Sequence, residues 1–460
     1  MKTRTVIALI ALVLFVAAGM GFYAWNSRPQ LIEISPQAGE INVPVTSPIR
    51  LVFSRSMQPA TVSTHLKIEP AIEGLFRWNG NSLSFTPDPS WPGGQEITLS
   101  LEAGARASSW LAFPMGGQSW SFKTREVAVA YLWPSNAPAD IYSLDPVKGE
   151  IRQYTQGMGV FDYAVSSSGM MFYFSSSNSQ GGADLYRIDR LEVESSPSNL
   201  FQAEELLNCG VAQCRNPAVS FDNHYLAYEY LLPTPKGGLG PAQIWILSLP
   251  DLVAIPVGQA THETIQPTWS ATGLLAYYDQ TISGYEVVNP LTQDSVQLPN
   301  QTGQPGAWSP NGEYYLAPEI SYFQAAGSYE TGTSHLLRYR INSDTPDDIS
   351  GENSVEDVEA GYSPNGGLIA FTRKFLDVER WSLGRQIWIM NADGSNPHPI
   401  TDEVDYNHYD LAWSRDGLML AYVRFNQAKL SDLPELWMVN TDGSDPVQLV
   451  IGGYSPLWIP

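Results

Sequence analysis

One short phrase recurs six times after residue 160: an apolar run, a serine, a tight turn and a second apolar run. It reads AVSSSGMMFYF from Ala164, AVSFDNHYLAYEY from Ala218, TWSATGLLAYYD from Thr268, AWSPNGEYYLAPE from Ala307, GYSPNGGLIAFTR from Gly361 and AWSRDGLMLAYVR from Ala412. The serine stands at 166, 220, 270, 309, 363 and 414, at intervals of 54, 50, 39, 54 and 51 residues. A period of about 50 is the length of a four-stranded unit that buries its apolar face only by stacking on a neighbour. Third strands follow in DLYRID, QIWILS, QIWIMNADGS and ELWMVNTDGS, where Asp-Gly turns the chain into a fourth. The composition agrees: 38 Gly, 34 Pro, 14 Trp and 23 Tyr suit many short strands joined by turns.

The two ends of this array complete each other. Trp458, in the terminal SPLWIP, follows Trp413 by 45 residues, as an innermost strand with no unit after it. VAVAYLW, DIYSLD and EIRQYT, between Val127 and Thr155, read as second, third and fourth strands lacking a first. Shared between them, they make one more sheet and leave no exposed edge. The expectation is a ring of seven blades; six is the alternative, should the Ser166 unit or the divergent unit near Tyr285 not form a blade. These words resemble the TolB-type (WD40-like) β-propellers over residues 126–460, most strongly in the last two units. Departures are the missing Gly after Asn223 and the weak unit near Tyr285. The resemblance implies a fold and not an activity.

Residues 29–125 carry a different pattern. LIEIS, IRLVFS, HLKIEP, SLSFTP, EITLSLE and SWSFKT alternate apolar and polar between turn residues, the mark of antiparallel strands with one buried face. SPQAG at Ser35, FSRSMQP at Phe53, SFTP at Ser84 and SFKT at Ser121 resemble, in order, the words of the bacterial Ig-like domains. That family has no catalytic set, and the resemblance implies a spacer or adhesive module.

Residues 6–25, VIALIALVLFVAAGMGFYAW, contain no charge and are long enough as a helix to cross a bilayer. Lys2 and Arg4 precede them, so the positive-inside rule places the rest of the chain outside the cytoplasm. An uncleaved transmembrane anchor over residues 1–28 and a cleaved signal peptide both fit; the length of the run and Phe22, Tyr23 and Trp25 at its end favour the anchor. The fold class expected is therefore all-β, an Ig-like β-sandwich followed by a β-propeller, plus one N-terminal transmembrane helix, with the body at the cell surface or in the periplasm.

With 25 Lys and Arg against 47 Asp and Glu, the net charge of −22 makes nucleic acid a poor partner. Cys209 and Cys214, the only two cysteines, could close a small disulfide loop in an oxidising compartment or stay as free thiols; metal or redox chemistry would need further ligands or a C-x-x-C spacing. There is no G-x-S-x-G elbow and no phosphate-binding Gly-rich loop opening a helix; His262-Glu263 lacks a second His at helical spacing. NTDGSD at Asn440 lacks the last ligand of a calcium loop and reads as a turn. No cofactor is expected, and no substantial helix after residue 25.

In a propeller the turns between first and second and between third and fourth strands share one face. Here those turns are short, as in SPNG, SRDG, NADG and NTDG. The connections between second and third strands are long, and binding is expected on their face. They carry Tyr322, Phe323, Tyr329, Phe375, Trp381 and Phe425, which either form a stacking or partner-binding surface or fold down over the blades. Beside them Asp347, Asp348, Glu352, Glu356, Asp357, Glu359, Asp402, Glu403, Asp405 and Asp410 form an acidic rim, fit for Ca²⁺, for a basic partner, or simply solvated. The expected function is a membrane-anchored, extracytoplasmic binding or scaffold protein whose partner is a protein or an envelope polysaccharide. The alternative is a propeller enzyme, a glycan hydrolase or lyase with carboxylates converging at the mouth of the ring.

Overall fold

The computed structural model describes residues 12–459 apart from 17, 20, 24, 26–27, 42, 46, 89, 110–113, 196–202, 325–329 and 344. The apolar run 6–25 lies in good part outside the described residues. Those described, such as 12–16 and 21–23, are helical and exposed. Among the described residues no helix is long and apolar enough to cross a membrane. The chain divides into two compact units between Glu126 and Val127.

The first unit is a sandwich. One sheet orders Leu31–Ser35, Ile49–Phe53, Ser82–Pro87 and Gly74–Asn79; the other orders Leu66–Glu69, Glu96–Leu101 and Gln118–Lys123. Period-two alternation sends Leu51, Phe53, Leu83 and Phe85 from one sheet, and Ile97, Leu99 and Phe122 from the other, into the core, all at most 2% exposed. Trp91 sits between the layers, edge-on to Phe122 at 5.8 Å, and donates its indole N–H to the Ser47 carbonyl at 2.7 Å. The seven-residue helix Pro59–His65, with Pro at its start, was not foreseen. It follows Met57 of the FSRSMQP phrase and buries only Val62, too few apolar positions to register as a helical period.

The second unit is a succession of antiparallel meanders, each running outward from an innermost strand. Thr264–Trp269, Leu275–Asp279, Gly284–Val288 and Ser295–Pro299 form one sheet, so the divergent unit around Tyr285 is fully stranded and Tyr285 itself is buried. The sheets that begin at Ala307, Val355 and Tyr406 repeat the pattern. The units of Ser166 and Ser220 are likewise meanders, joined into one eight-stranded sheet by a single parallel bridge between Ala183 and Gln213. Finally Tyr454–Ile459 pairs antiparallel with Ala128–Trp133, placing Trp458 opposite Val129 and Ile459 opposite Ala128. Consecutive meanders whose last strand completes the first sheet have the connectivity of a β-propeller.

The repeated serine is a turn lock. Ser414 Oγ accepts the Met419 N–H at 2.9 Å and donates to Asp416 at 2.6 Å. Ser220, Ser309 and Ser363 do the same with Tyr225 and Asp222, Tyr314 and Asn311, and Leu368 and Asn365. Ser166 and Ser270 accept the N–H groups of Met171 and Leu274. All six serines are buried, and a buried hydroxyl must find such partners. The missing glycine also has an explanation: Asn223 takes the left-handed position at φ 58° that Gly312 takes at 72° in SPNG, and asparagine is the non-glycine residue best suited to it.

Tryptophans tie four of the innermost strands to the one before. The indole N–H groups of Trp269, Trp308, Trp413 and Trp458 donate to the carbonyls of Ala218, Thr268, Gly361 and Ala412, at 2.9, 3.3, 3.0 and 3.0 Å.

Candidate functional site

The two faces of the propeller unit differ in how far they are built out. On one, the connections are the serine-locked turns and the turns between third and fourth strands, which are short except after Asp189, where the helix Arg190–Ser195 intervenes. On the other, the strands Tyr314–Gln324 and Glu330–Arg340 pair along their whole eleven-residue lengths, giving an arm with Tyr322 exposed near its tip. Tyr329 lies outside the described residues. Of the other aromatic residues singled out in the sequence, three are partly buried against their own sheets. Phe323 stacks on His335 at 6.3 Å, Phe375 meets Trp388 edge-on at 5.6 Å, and Phe425 meets Tyr409 edge-on at 5.7 Å. Arg380 covers the other side of Phe375, 4.0 Å from the ring centre. Trp381 is 53% exposed, with the Lys374 ammonium 4.8 Å above its ring.

The acidic rim is largely consumed by cations. Asp357 is fully buried and receives both forks of the buried Arg373 at 2.7 Å. Glu356 pairs with Arg385, Glu352 with Arg380, Asp347 with Arg338 at 2.9 Å, and Asp348 with His335 at 2.7 Å. Glu403 is held by His408 at 3.2 Å and by Arg424, which together depress its carboxyl to about 2. Asp402 and Asp405 stay exposed. Among the described residues no group of three or more His, Cys, Asp or Glu is arranged to hold a metal ion. Cys209 and Cys214 are joined in a disulfide, next to which the Cys209 N–H donates to Asp184 at 2.7 Å.

Glu359 and Asp410 belong to a feature the sequence reading overlooked. Four residues before the serine, or three before the tryptophan, the innermost strands shift register. There the backbone turns left-handed at Asn216, Gln266, Glu359, Asp410 and Ser455, with φ of 50, 58, 52, 54 and 51°. Four of the five turn their N–H toward a carboxylate: Asn216 to Asp162 at 3.2 Å, Gln266 to Glu229 at 2.8 Å, Asp410 to Glu359 at 2.8 Å and Ser455 to Asp410 at 3.2 Å. Tyr163 closes the row, donating its hydroxyl to the Ser455 carbonyl at 2.7 Å. Desolvation, helped by the neighbouring Asp410, pushes the Glu359 carboxyl up to about 7, and burial raises Asp410 as well. A carboxyl so placed can carry or release a proton near neutrality. The only trace in the sequence is a polar residue at this position, as Asn216, Gln266, Glu359, Asp410 or Ser455, and it fails in the unit of Ser309, where Pro305 stands there.

In the first unit, Leu66, Ile68, Leu75, Phe76 and Phe85 line a groove of about 520 Å³ beside Asp88, with Leu75 and Phe76 exposed.

Solved structures similar to this chain include an oligogalacturonate lyase in complex with manganese. It is 15% identical, with 65% of this chain and 75% of that one covered at a TM-score of 0.42. A putative TolB from Agrobacterium tumefaciens is 17% identical, covering 72% and 91% at 0.38. TolB from Acinetobacter baumannii is 10% identical, covering 94% and 99% at 0.44. No curated protein matches the chain. Residues 26–124 match the family model of the bacterial Ig-like domain, the stretch that folds as the sandwich.

Proposed function

We propose that this protein is a binding scaffold, tethered to the membrane by residues 6–25 and facing away from the cytoplasm, that offers the long-loop face of its propeller to a protein or polysaccharide of the envelope. One observation carries the reading: four of the long connections stand together on one face, where exposed Tyr322 and Trp381 lie among loops braced by ion pairs, while the other face carries short turns in every unit except that of Ser166, whose third and fourth strands are joined through the helix Arg190–Ser195. A rigid ring with one variable face is suited to recognition. Counting one blade per innermost strand, with Tyr454–Ile459 as the last, supports the seven-bladed form. The uncharged run and the preceding Lys2 and Arg4 support the tether and its orientation. Photo-cross-linking residues installed at Tyr322 or Trp381 of the full chain in its native envelope should capture a partner. One at Val147, on the short-turn face, should not; equal capture from all three positions, or none, overturns the reading.

A second reading, an enzyme acting on glycans, is favoured by Glu359 beside Asp410, a proton-carrying carboxyl next to a second acid. Polysaccharides incubated with the full chain would then be cleaved, and Glu359→Gln would abolish the cleavage.

A further inference from the structure

We infer that the segments 374–384 and 425–434, with the connection 401–410 between them, form a docking surface for a cationic polypeptide that carries apolar side chains. The inference rests on the binding-face reading above and names the chemistry of its partner.

The three segments make one surface. The N–H groups of Leu383 and Gly384 both donate to the Val404 carbonyl, at 3.0 and 3.2 Å, and the Gln427 N–H donates to Asp405 at 2.9 Å. Gly384 lies so close to the next segment that a Cβ there would stand 2.1 Å from the Tyr406 carbonyl oxygen, so any side chain would force the segments apart. On this surface Val378 is 96% exposed, Leu430 78%, Val404 56% and Trp381 53%. Single exposed apolar residues are ordinary; four on adjoining loops mark an interaction surface.

Charge indicates what would cover them. The arginines are already engaged: Arg380 with Glu352 and Asp377, Arg385 with Glu356, and Arg424 with Glu403 and Glu435. Lys374 donates to the Leu383 carbonyl at 3.1 Å beneath Trp381. Glu379, Asp402, Asp405 and Asp432 are exposed, and among the described residues none of them meets a cation; against these four acids stand two lysines without a carboxylate partner, Lys374 and Lys429, so the surface stays net negative. Apolar anchors inside an uncompensated negative field complement a segment that alternates basic and apolar side chains. A glycan fits less well. Val378, Val404 and Leu430 offer no ring to stack on, Trp381 has one side occupied by Lys374, and Phe375 and Phe425 are packed against Trp388 and Tyr409.

The test uses the full chain and a labelled synthetic peptide of Lys, Leu and Gly, followed by fluorescence anisotropy, beside a Glu, Leu and Gly peptide and neutral oligosaccharides. The Lys peptide should bind and the others should not. Reversing Glu379, Asp402, Asp405 and Asp432 to Lys should weaken it at least tenfold. The pair Val378→Ser and Leu430→Ser should weaken it several-fold at high salt, where charge is screened. Reversing Glu150, Asp251, Asp294 and Glu313 on the short-turn face should change it less than twofold, with circular dichroism confirming that each variant folds. Equal loss from the two sets of reversals, failure of the Lys peptide to bind, or oligosaccharide binding in its place overturns the inference. If cross-linking at Trp381 still captures an envelope partner in that case, the face stands and only the partner's chemistry is wrong; if it does not, the binding reading falls too.

Discussion

Trp458 donates its indole N–H to the Ala412 carbonyl at 3.0 Å, repeating one unit later the bond that Trp413 makes to Gly361. The final strand is therefore bonded as a member of the repeat although it belongs to the sheet that opens the unit. Trp458→Ala should cost about 3–5 kcal/mol by emptying a buried site, while Trp458→Phe should cost about 1 kcal/mol beyond its volume loss, the size of one hydrogen bond. Urea unfolding of both variants checks the order, and equal costs would mean that the ring's packing contributes nothing beyond the bond that both variants lose.

The serine lock predicts a coupled pair. Ser414→Ala removes the acceptor of Met419 and the donor to Asp416, and should destabilise by about 1–3 kcal/mol. Asp416→Ala should add little on top of it, because the two side chains act on one turn, and a double-mutant cycle measures that coupling.

Glu359 reverses the usual acid behaviour of a carboxylate. Its carboxyl, raised by desolvation to about 7, contributes stability that is fully present below the ordinary value near 4.5 and is lost as pH rises through about 7. Glu359→Gln should therefore match the parent near pH 4 and exceed it by about 1–3 kcal/mol at pH 8, read from urea midpoints at the two pH values.

Glu403 carries the opposite sign. Held down to about 2 by His408 and Arg424, it contributes stability present above about 4.5 and lost as pH falls through about 2. Glu403→Gln should cost about 1–2 kcal/mol at pH 7, discounted because the side chain is 38% exposed, and progressively less on acidification. A cost that does not change between pH 7 and pH 3 would point to packing in place of charge.

Asp357 and Arg373 are a buried ion pair, so removing one partner should hurt more than removing both. Asp357→Asn should cost about 3–5 kcal/mol by stranding the guanidinium, and Asp357→Leu with Arg373→Met should recover much of that. Thermal unfolding of the single and double variants measures the difference.

What the sequence reveals here follows its periodicity. The serine spacing marks the first turn of each unit because one hydroxyl must satisfy the same amide every time, as Ser363 does for Leu368 and Ser414 for Met419. The interval from Trp413 to Trp458 marks the terminal strand for the same reason. Pairings between distant residues leave no such trace. Asp357 and Arg373, or Glu356 and Arg385, look in the text like an acidic stretch and scattered bases; only the register of the three adjacent strands of the sheet brings them together. The bulged row at Asn216, Gln266, Glu359, Asp410 and Ser455 was missed because its residue type varies while its backbone does not. Asn223 misled for the converse reason: its backbone matches a glycine that the letters lack.

Because Ala128–Trp133 takes its innermost neighbour from Tyr454–Ile459, the first sheet of the second unit to be synthesised is the last one to be completed. The nascent ring must hold its first edge uncovered until nearly the whole unit has left the ribosome. Folding of the unit thus has a built-in delay before it locks, set by the sequence separation of these two strands.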